Sequence, residues 1–514
     1  MLEQNAALVE RVGRLATQIG HLSDQLARAN DRIDELLAAL GQKAARRQNT
    51  ESEQPVEAPS DLSDDVREAF ENRPTPPERE EKKKKPPKKR EKAGRNKLPD
   101  SLPRDTHTLT PSSCDHCGST DLAVVRQHVE EKLTVVKAHQ RVRRTVRDTC
   151  DCNACGQRTT PRALPAPFPR SKATCEWLAW FIWARHALLL PMDRIRRDLD
   201  GKGVPLAMSY LVSQVERAAD ILAPIDGEHW KQLLGGDWMG MDATGLKVCV
   251  KGVPETHNGN LEAFHNGETV VVQYEATKHS DNLVSKLRPF SGVLVADAEH
   301  RHNVLFEDGS IIEAGCNAHG RRKLRDAETA QPKLAADAGR FISAVYNAEA
   351  EARKLGLTGE ALRDWRRQRC KPHLDDFERW NDAVRPTLLP SDPLTKALAY
   401  YSNHWDALCR FVDHPEIPID NSATERLYQP IAKLRHNILF AGSTEGAHRL
   451  ATLLGIVATC RALGIDGEAY LAWAFTRLGT HKDLYDLTAA ELTPAAYAAA
   501  YARDGPGSDT ATTG

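Results

Sequence analysis

The sequence has almost no net charge. Seventy Lys and Arg residues face 71 Asp and Glu residues over 514 positions, a formal balance of −1. It also lacks a long hydrophobic run. The longest, Trp177-Leu-Ala-Trp-Phe-Ile-Trp-Ala184, stops at Arg185, far short of the ~20 apolar residues that a membrane-spanning helix needs. Nothing at the N-terminus reads as a secretion leader, because it is polar and periodic rather than basic and then apolar. An even, stapled set of cysteines is missing as well: the count is 11, and an odd number without a leader points to reduced thiols in a cytosol. A secreted disulfide scaffold and a membrane protein are thereby set aside. The expectation is a soluble cytoplasmic chain of several domains with no membrane partner.

What is present is charge sorted into blocks. Residues 1–41 carry heptads: Val12, Ile19, Leu26, Ile33 and Leu40 alternate with Leu8, Leu15, Leu22, Ala29 and Leu36. β-branched residues in one series and Leu in the other favour a parallel two-stranded coiled coil, hence a homodimer. An amphipathic helix packed on its own chain is the alternative. Residues 42–105 are polar, Pro-rich and charged, and read as a disordered linker. Its basic run holds Lys82, Lys83, Lys84, Lys85, Lys88, Lys89 and Arg90. Such a run is either a solvated tail or a set of phosphate contacts without sequence preference.

Residues 106–165 hold two C-x-x-C knuckles, Cys114/Cys117 and Cys152/Cys155. Four thiolates at that spacing suit one tetrahedral zinc ion in a zinc-ribbon-like module, with Cys150 as a spare ligand. Between them lies a stretch expected to be β-rich, with the basic strand 141–147, which favours nucleic-acid contact. Residues 166–230 read as helices. Segments 190–197 and 209–217 resemble a helix-turn-helix, the second helix opening at Met208-Ser209, and the Trp177 to Trp183 aromatics read as core.

From 231 to 440 the pattern changes to strands at 238–250, 269–276 and 292–297, then 311–315. The first carries Asp242 and the third ends on Asp297. Farther on, Asp420-Asn-Ser-Ala-Thr-Glu425 places two N-cap residues ahead of a helix, with Glu425 in its first turn, where the helix dipole favours a carboxylate. Strand-end aspartates are ordinarily turn or cap residues. Three carboxylates gathered on rigid elements could instead hold two hard divalent cations for phosphoryl displacement. Glu425 lies more than twice as far from Asp297 as Asp297 lies from Asp242, so a helical insertion, about 326–414, is expected between them. In Gly315-Cys-Asn-Ala-His-Gly-Arg-Arg-Lys323, Cys316 and His319 have a metal-compatible spacing or steady the site, and Arg321 and Arg322 suit a DNA phosphate. Residues 441–514 should give two helices, 444–463 and 468–478, then a marginal or disordered Ala-rich end.

The words Asp420-Asn-Ser-Ala-Thr-Glu-Arg426, Leu434-Arg-His-Asn-Ile-Leu-Phe-Ala-Gly-Ser443, Gly315 to Lys323 and Gly94-Arg-Asn-Lys-Leu-Pro-Asp-Ser-Leu-Pro-Arg104 resemble the TnpC-type DDE transposases of the insertion-sequence sixty-six family. The resemblance implies a multidomain α/β plus α chain: coiled coil, zinc-ribbon-like module, and a ribonuclease-H-like catalytic core with a helical insertion. It implies Asp242, Asp297 and Glu425 as ligands of two Mg²⁺ ions, one structural zinc, and double-stranded DNA (element ends and target) as substrate, with accessory transposition proteins as further partners. The chain departs from the family at Ala243-Thr-Gly245, Ala298-Glu-His-Arg-His302 and Arg435-His-Asn437. None of these removes a triad carboxylate. They leave open a domesticated, non-catalytic zinc-dependent DNA-binding protein, and a ribonuclease-H-like nuclease that cuts without joining.

Overall fold

The computed structural model describes residues 62–78, 140, 142–151, 158–159, 163–252, 256–424, 426–427, 440–480 and 487–504. The expected coiled coil, the basic run at 82–90, the cysteines Cys114, Cys117, Cys152 and Cys155, and Glu425 lie outside the described residues. Two compact units divide the chain, one drawn from residues 1–78, 162–196 and 207–514, the other from 79–161 and 197–206.

The linker is not featureless. Helix α1 (Asp64–Glu71) carries two acidic residues in its first turn, where the dipole favours them. Its Phe70, 1% exposed, packs with Phe341, Phe377 and Trp380, and the Arg73 guanidinium lies 3.9 Å above its ring. One large aromatic among polar neighbours is enough to tether a segment whose composition reads as disordered.

In the second unit, β1 (Cys150–Asp151) pairs antiparallel with β2 (Arg158–Thr159), Cys150 opposite Thr159. In sequence this hairpin brackets the second knuckle. The expected basic strand is corrected: residues 142–149 form no strand, and Val142 and Val146 are exposed. An alternating apolar pattern makes a strand only when a ladder partner and a covering layer exist.

In the larger unit α2 (Cys175–His186) starts at Thr174, whose hydroxyl accepts the Trp177 N–H. It buries Leu178, Phe181 and Ile182. The expected helix pair forms as α3 (Met192–Gly201) and α4 (Met208–Leu234), and α4 continues through Pro224 as far as the sheet.

The sheet contains β3 (Trp238–Val248), β4 (His257–His265), β5 (Val270–Glu275), β6 (Gly292–Ala296) and β7 (Ile311–Gly315) in the order β5-β4-β3-β6-β7. β3, β4 and β5 form an antiparallel meander, whereas β6 and β7 run parallel to β3. β4 was not among the expected strands, since Asn258-Gly-Asn260 and His265 break its alternation. This mixed α/β order is compatible with a ribonuclease-H-like core. Met239, Met241, Phe264, Leu294 and Ala296 form one face, covered by α5 (Ser280–Leu287) and the end of α4. The opposite face has two patches. Leu246, Val248, Leu261 and Val272 meet a C-terminal helix, while Val293 and Val295 meet the insertion.

The stretch expected as an insertion at about 326–414 is filled by helices, and the helical run starts earlier, directly after β7. It runs α6 (Asn317–Ala327), α7 (Pro332–Lys354), α8 (Gly359–Arg369), α9 (Lys371–Val384), α10 (Pro393–Asn403) and α11 (Trp405–Cys409). Phe341, Phe377, Trp380 and Tyr401 are its aromatic centre, with Phe377 and Tyr401 edge-to-face at 4.8 Å. After it, α12 (Thr444–Ala462) is capped by Ser443 and lays Leu450 and Leu454 on the sheet. α13 (Gly467–Thr480) follows. The Ala-rich end is not marginal through residue 504. α14 (Pro494–Asp504) buries Tyr497 beside Tyr470 and Trp473, and the Tyr470 hydroxyl donates to the Leu492 carbonyl at 2.9 Å.

Candidate active site

Register decides where the two aspartates stand. β3 and β6 are parallel with Gly240 opposite Val295. Two residues on from each are Asp242 and Asp297. Asp242, within β3, and Asp297, one residue past the end of β6, therefore stand at the same level on neighbouring strands. Alternation puts Asp242 on the face of Trp238, Leu246 and Val248, and Asp297, one step past the strand, on the face of Val293 and Val295. This is one and the same face. Asp242 Oδ1 also accepts the backbone N–H of Ala243 at 2.7 Å.

The acidic motif 420–424 docks on that face. Asn421, 2% exposed, donates from Nδ2 to the carbonyl of Met241 at 2.6 Å, one residue before Asp242. Thr424, wholly buried, accepts from His265 Nε2 at 2.7 Å. Asp420 caps the turn, since its Oδ1 accepts the Ser422 N–H at 2.9 Å and its Oδ2 accepts the Tyr346 hydroxyl at 2.6 Å. The N-cap role read from the sequence is thus filled by Asp420, and residues 422–424 and 426–427 are helical. Asp242, Asp297 and the residues on either side of Glu425 are placed.

Cys316 lies directly beneath this turn. It is fully buried at the start of α6, and its Sγ accepts the Asn421 N–H at 3.2 Å. Burial pushes its thiol up to about 11. The Asn421–Cys316 bond ties the start of α6 to the motif. The backbone N–H of His319 donates to the Cys316 carbonyl at 3.2 Å. Arg321 lies 5.0 Å over the Tyr346 ring, close to Asp420, and it and Arg322 are exposed on α6.

Beyond Asp297 the chain turns at once. Asp297, Glu299 and His302 each bring a potential ligand atom within 4.8 Å of the others. His302 is buried and meets the Asp297 carbonyl through Nδ1 at 3.1 Å; burial, then the Arg301 cation, pull its pKa down. Glu299 is held by Lys278 at 2.9 Å and Arg301 at 2.7 Å, and any cation there would compete with both. Burial opposes ionisation of Glu262, but Lys286 and Arg301 outweigh it and hold this carboxyl below the usual range. Glu262 lies on the opposite face of the sheet, bound to the structure rather than to the site.

The sequence reading did not single out His265, Asn317, Tyr346 or Arg366. Asn317 donates to the carbonyls of Leu408 and Ile419 at 2.9 and 3.1 Å. Arg366 forks onto Glu349 and donates from Nη1 to the carbonyls of Phe411, His414 and Ile417. Together they fasten the strap that leads into Asp420. No local pattern marks such residues, because their partners are 17 to 159 positions away.

Residues 170–449 match the family described as Transposase IS66 family, more than half of the chain. The chain belongs to the IS66 transposase family. The matched span includes the whole sheet, Asp242, Asp297 and the 420–425 motif. Three proteins of Sinorhizobium fredii are similar along most of their length. The one called uncharacterized protein y4hP is 27% identical over 77% of this chain and 77% of its own. Uncharacterized protein y4jD is 26% identical over 76% of this chain and 80% of its own. The third, y4qI, is 25% identical over 73% of each. Among the described residues of this IS66 family member, no helix is long and apolar enough to cross a membrane.

Proposed function

We propose that this family member is a DDE transposase that binds the ends of an insertion sequence and carries out metal-dependent cleavage and strand transfer. The observation that carries this reading is the β3/β6 register, which sets Asp242 and Asp297 side by side on the face where Asn421 and Thr424 dock. The donor set fits a hard cation, since carboxylate oxygens suit Mg²⁺ better than thiols or imidazoles do. Asp242, Asp297 and Glu425 would hold two Mg²⁺ ions, which supply Lewis-acid polarisation of a phosphodiester and of the attacking oxygen.

The remaining work falls to the chain. Held on adjacent strands of one sheet, Asp242 and Asp297 would need no reorganisation at the moment of reaction. Water would attack the phosphodiester at the element end, releasing a 3′ hydroxyl and leaving a 5′ phosphate. That hydroxyl would then attack a target phosphodiester and displace a target 3′ hydroxyl, with no covalent enzyme intermediate. Arg321 and Arg322, exposed on the helix after β7, would take DNA phosphates. Outside the core, Cys114, Cys117, Cys152 and Cys155 would bind one zinc ion. Residues 1–41 would pair two chains, and the basic run at 82–90 would add phosphate contacts blind to sequence.

The test uses the full chain, duplexes ending in the element's terminal sequences, and Mg²⁺. Asp242→Asn and Asp297→Asn should each lower end cleavage and joining by about a thousandfold or more while end binding holds. Either variant cutting at the parental rate would remove the catalytic assignment.

A further inference from the structure

The geometry points to His265 as a positioning residue for the turn that precedes Glu425: through Thr424 and Asn421 it holds residues 421–424 against β3, beside Asp242. This rests on the three-carboxylate reading above, in which the residue after Thr424 is the third carboxylate.

The hydrogen bonds have a single consistent direction. The Gly267 N–H donates to His265 Nδ1 at 3.1 Å, so that nitrogen carries the lone pair and Nε2 carries the proton. Nε2–H donates to the Thr424 hydroxyl at 2.7 Å. The Thr424 O–H donates to Asn421 Oδ1, and the Asn421 amide donates to the Met241 carbonyl at 2.6 Å. Each side chain in this series is at most 3% exposed. The series starts at the end of β4 and finishes on the residue before Asp242. Its middle member, Thr424, is the residue before Glu425.

A second observation shows that the space was built for it. Gly240 lies opposite His265 in the ladder. A Cβ at Gly240 would fall 2.5 Å from His265 Nε2 and 3.1 Å from Thr424 Oγ1. The strand gives up a side chain where the relay crosses it. Trp238, two residues earlier on the same face, meets the other side of the imidazole edge-on at 5.6 Å. Nothing in this arrangement allows the ring to turn without losing a partner at both nitrogens.

A fold staple and a positioning device differ in what they change. The measurement is Mn²⁺ affinity of the zinc-replete full chain, read from the free-ion electron paramagnetic resonance signal, with thermal unfolding alongside. Glu425→Gln should weaken Mn²⁺ binding. Thr424→Val, which keeps the shape and removes the relay hydroxyl, should weaken it by about 10–100-fold, the usual size of an outer-shell loss. Thr424→Ser should restore most of that, and His265→Gln, with a donor near the Nε2 position, should fall between. In a Glu425→Gln background, Thr424→Val should have no further effect on the ion, since it acts only through that carboxylate. Should Thr424→Val fail to fold, His265→Gln carries the same comparison. Variants that lower the melting temperature but leave Mn²⁺ affinity at the parental value would overturn the inference and leave the relay as a staple. If Glu425→Gln itself leaves affinity unchanged, the three-carboxylate reading fails and the inference fails with it.

Discussion

Arg366 is the residue whose loss should be felt farthest from its own position. Its side chain is 3% exposed, and that of its partner Glu349 is 8% exposed. Nε and Nη2 donate to the two Glu349 oxygens at 2.8 and 2.9 Å. Nη1 is shared among the carbonyls of Phe411, His414 and Ile417 at 2.7, 3.1 and 3.2 Å. Arg366→Met keeps the stem and removes five contacts. Leaving a buried carboxylate unpaired costs about 3–5 kcal/mol, and part of that figure includes carbonyls stranded without a donor, about 1–3 kcal/mol. Since these carbonyls form the strap into Asp420, the loss should appear there. Hydrogen exchange of residues 405–420, followed by mass spectrometry, should accelerate by about two decades or more. The double variant Glu349→Leu/Arg366→Met should recover the charge component but not the carbonyl component, and so fall midway. A double variant exchanging as fast as the single would show that the stranded charge is not what matters. Acceleration below about threefold would refute the reasoning altogether.

Two further outcomes follow from buried groups elsewhere. Burial raises the pKa of Asp226 to about 7, and its Oδ1 is closed to solvent without a partner. Because the folded value lies above the unfolded one, this group's contribution is full below about pH 4 and is lost as pH rises through about 7. Asp226→Asn should therefore raise stability by about 1–3 kcal/mol at pH 8 and leave it nearly unchanged at about pH 3.5, checked by melting at both; an equal gain at both would contradict the assignment. Phe70→Ala should destabilise the insertion by about 3–5 kcal/mol, seen as faster hydrogen exchange in α7 and α9, although it lies 262 and 301 residues before their first residues. Unchanged protection there would mean that α1 is not part of that core.

Much of this chain was legible because its signals are local. The strand positions of Asp242 and Asp297, the opening of α4 at Met208, the cap at Asp420 and the helical character of the insertion each follow from a few neighbouring residues: alternation, an N-cap, a periodic apolar face. The family words around those residues supplied the fold and the chemistry to expect. Local signals failed where a pattern's meaning depended on what covers it. Val142 and Val146 alternate like a strand and stay exposed, whereas Phe70 and Tyr497, in stretches that read as loose, are buried by aromatics far away in sequence.

The sequence by itself determined which chemical groups the chain offers, since a carboxylate or a guanidinium keeps its character wherever it lies. Only the tertiary structure decided that Asp242 and Asp297 share a level and a face, because a one-residue slip in the β3/β6 register would have turned one of them away. It alone also found a role for His265 and joined Asn421 to Cys316 and to β3. Hydrogen bonds between residues 105 to 180 positions apart leave no spacing to read, and a glycine at 240 looks like any other until the imidazole that needs its space is seen against it.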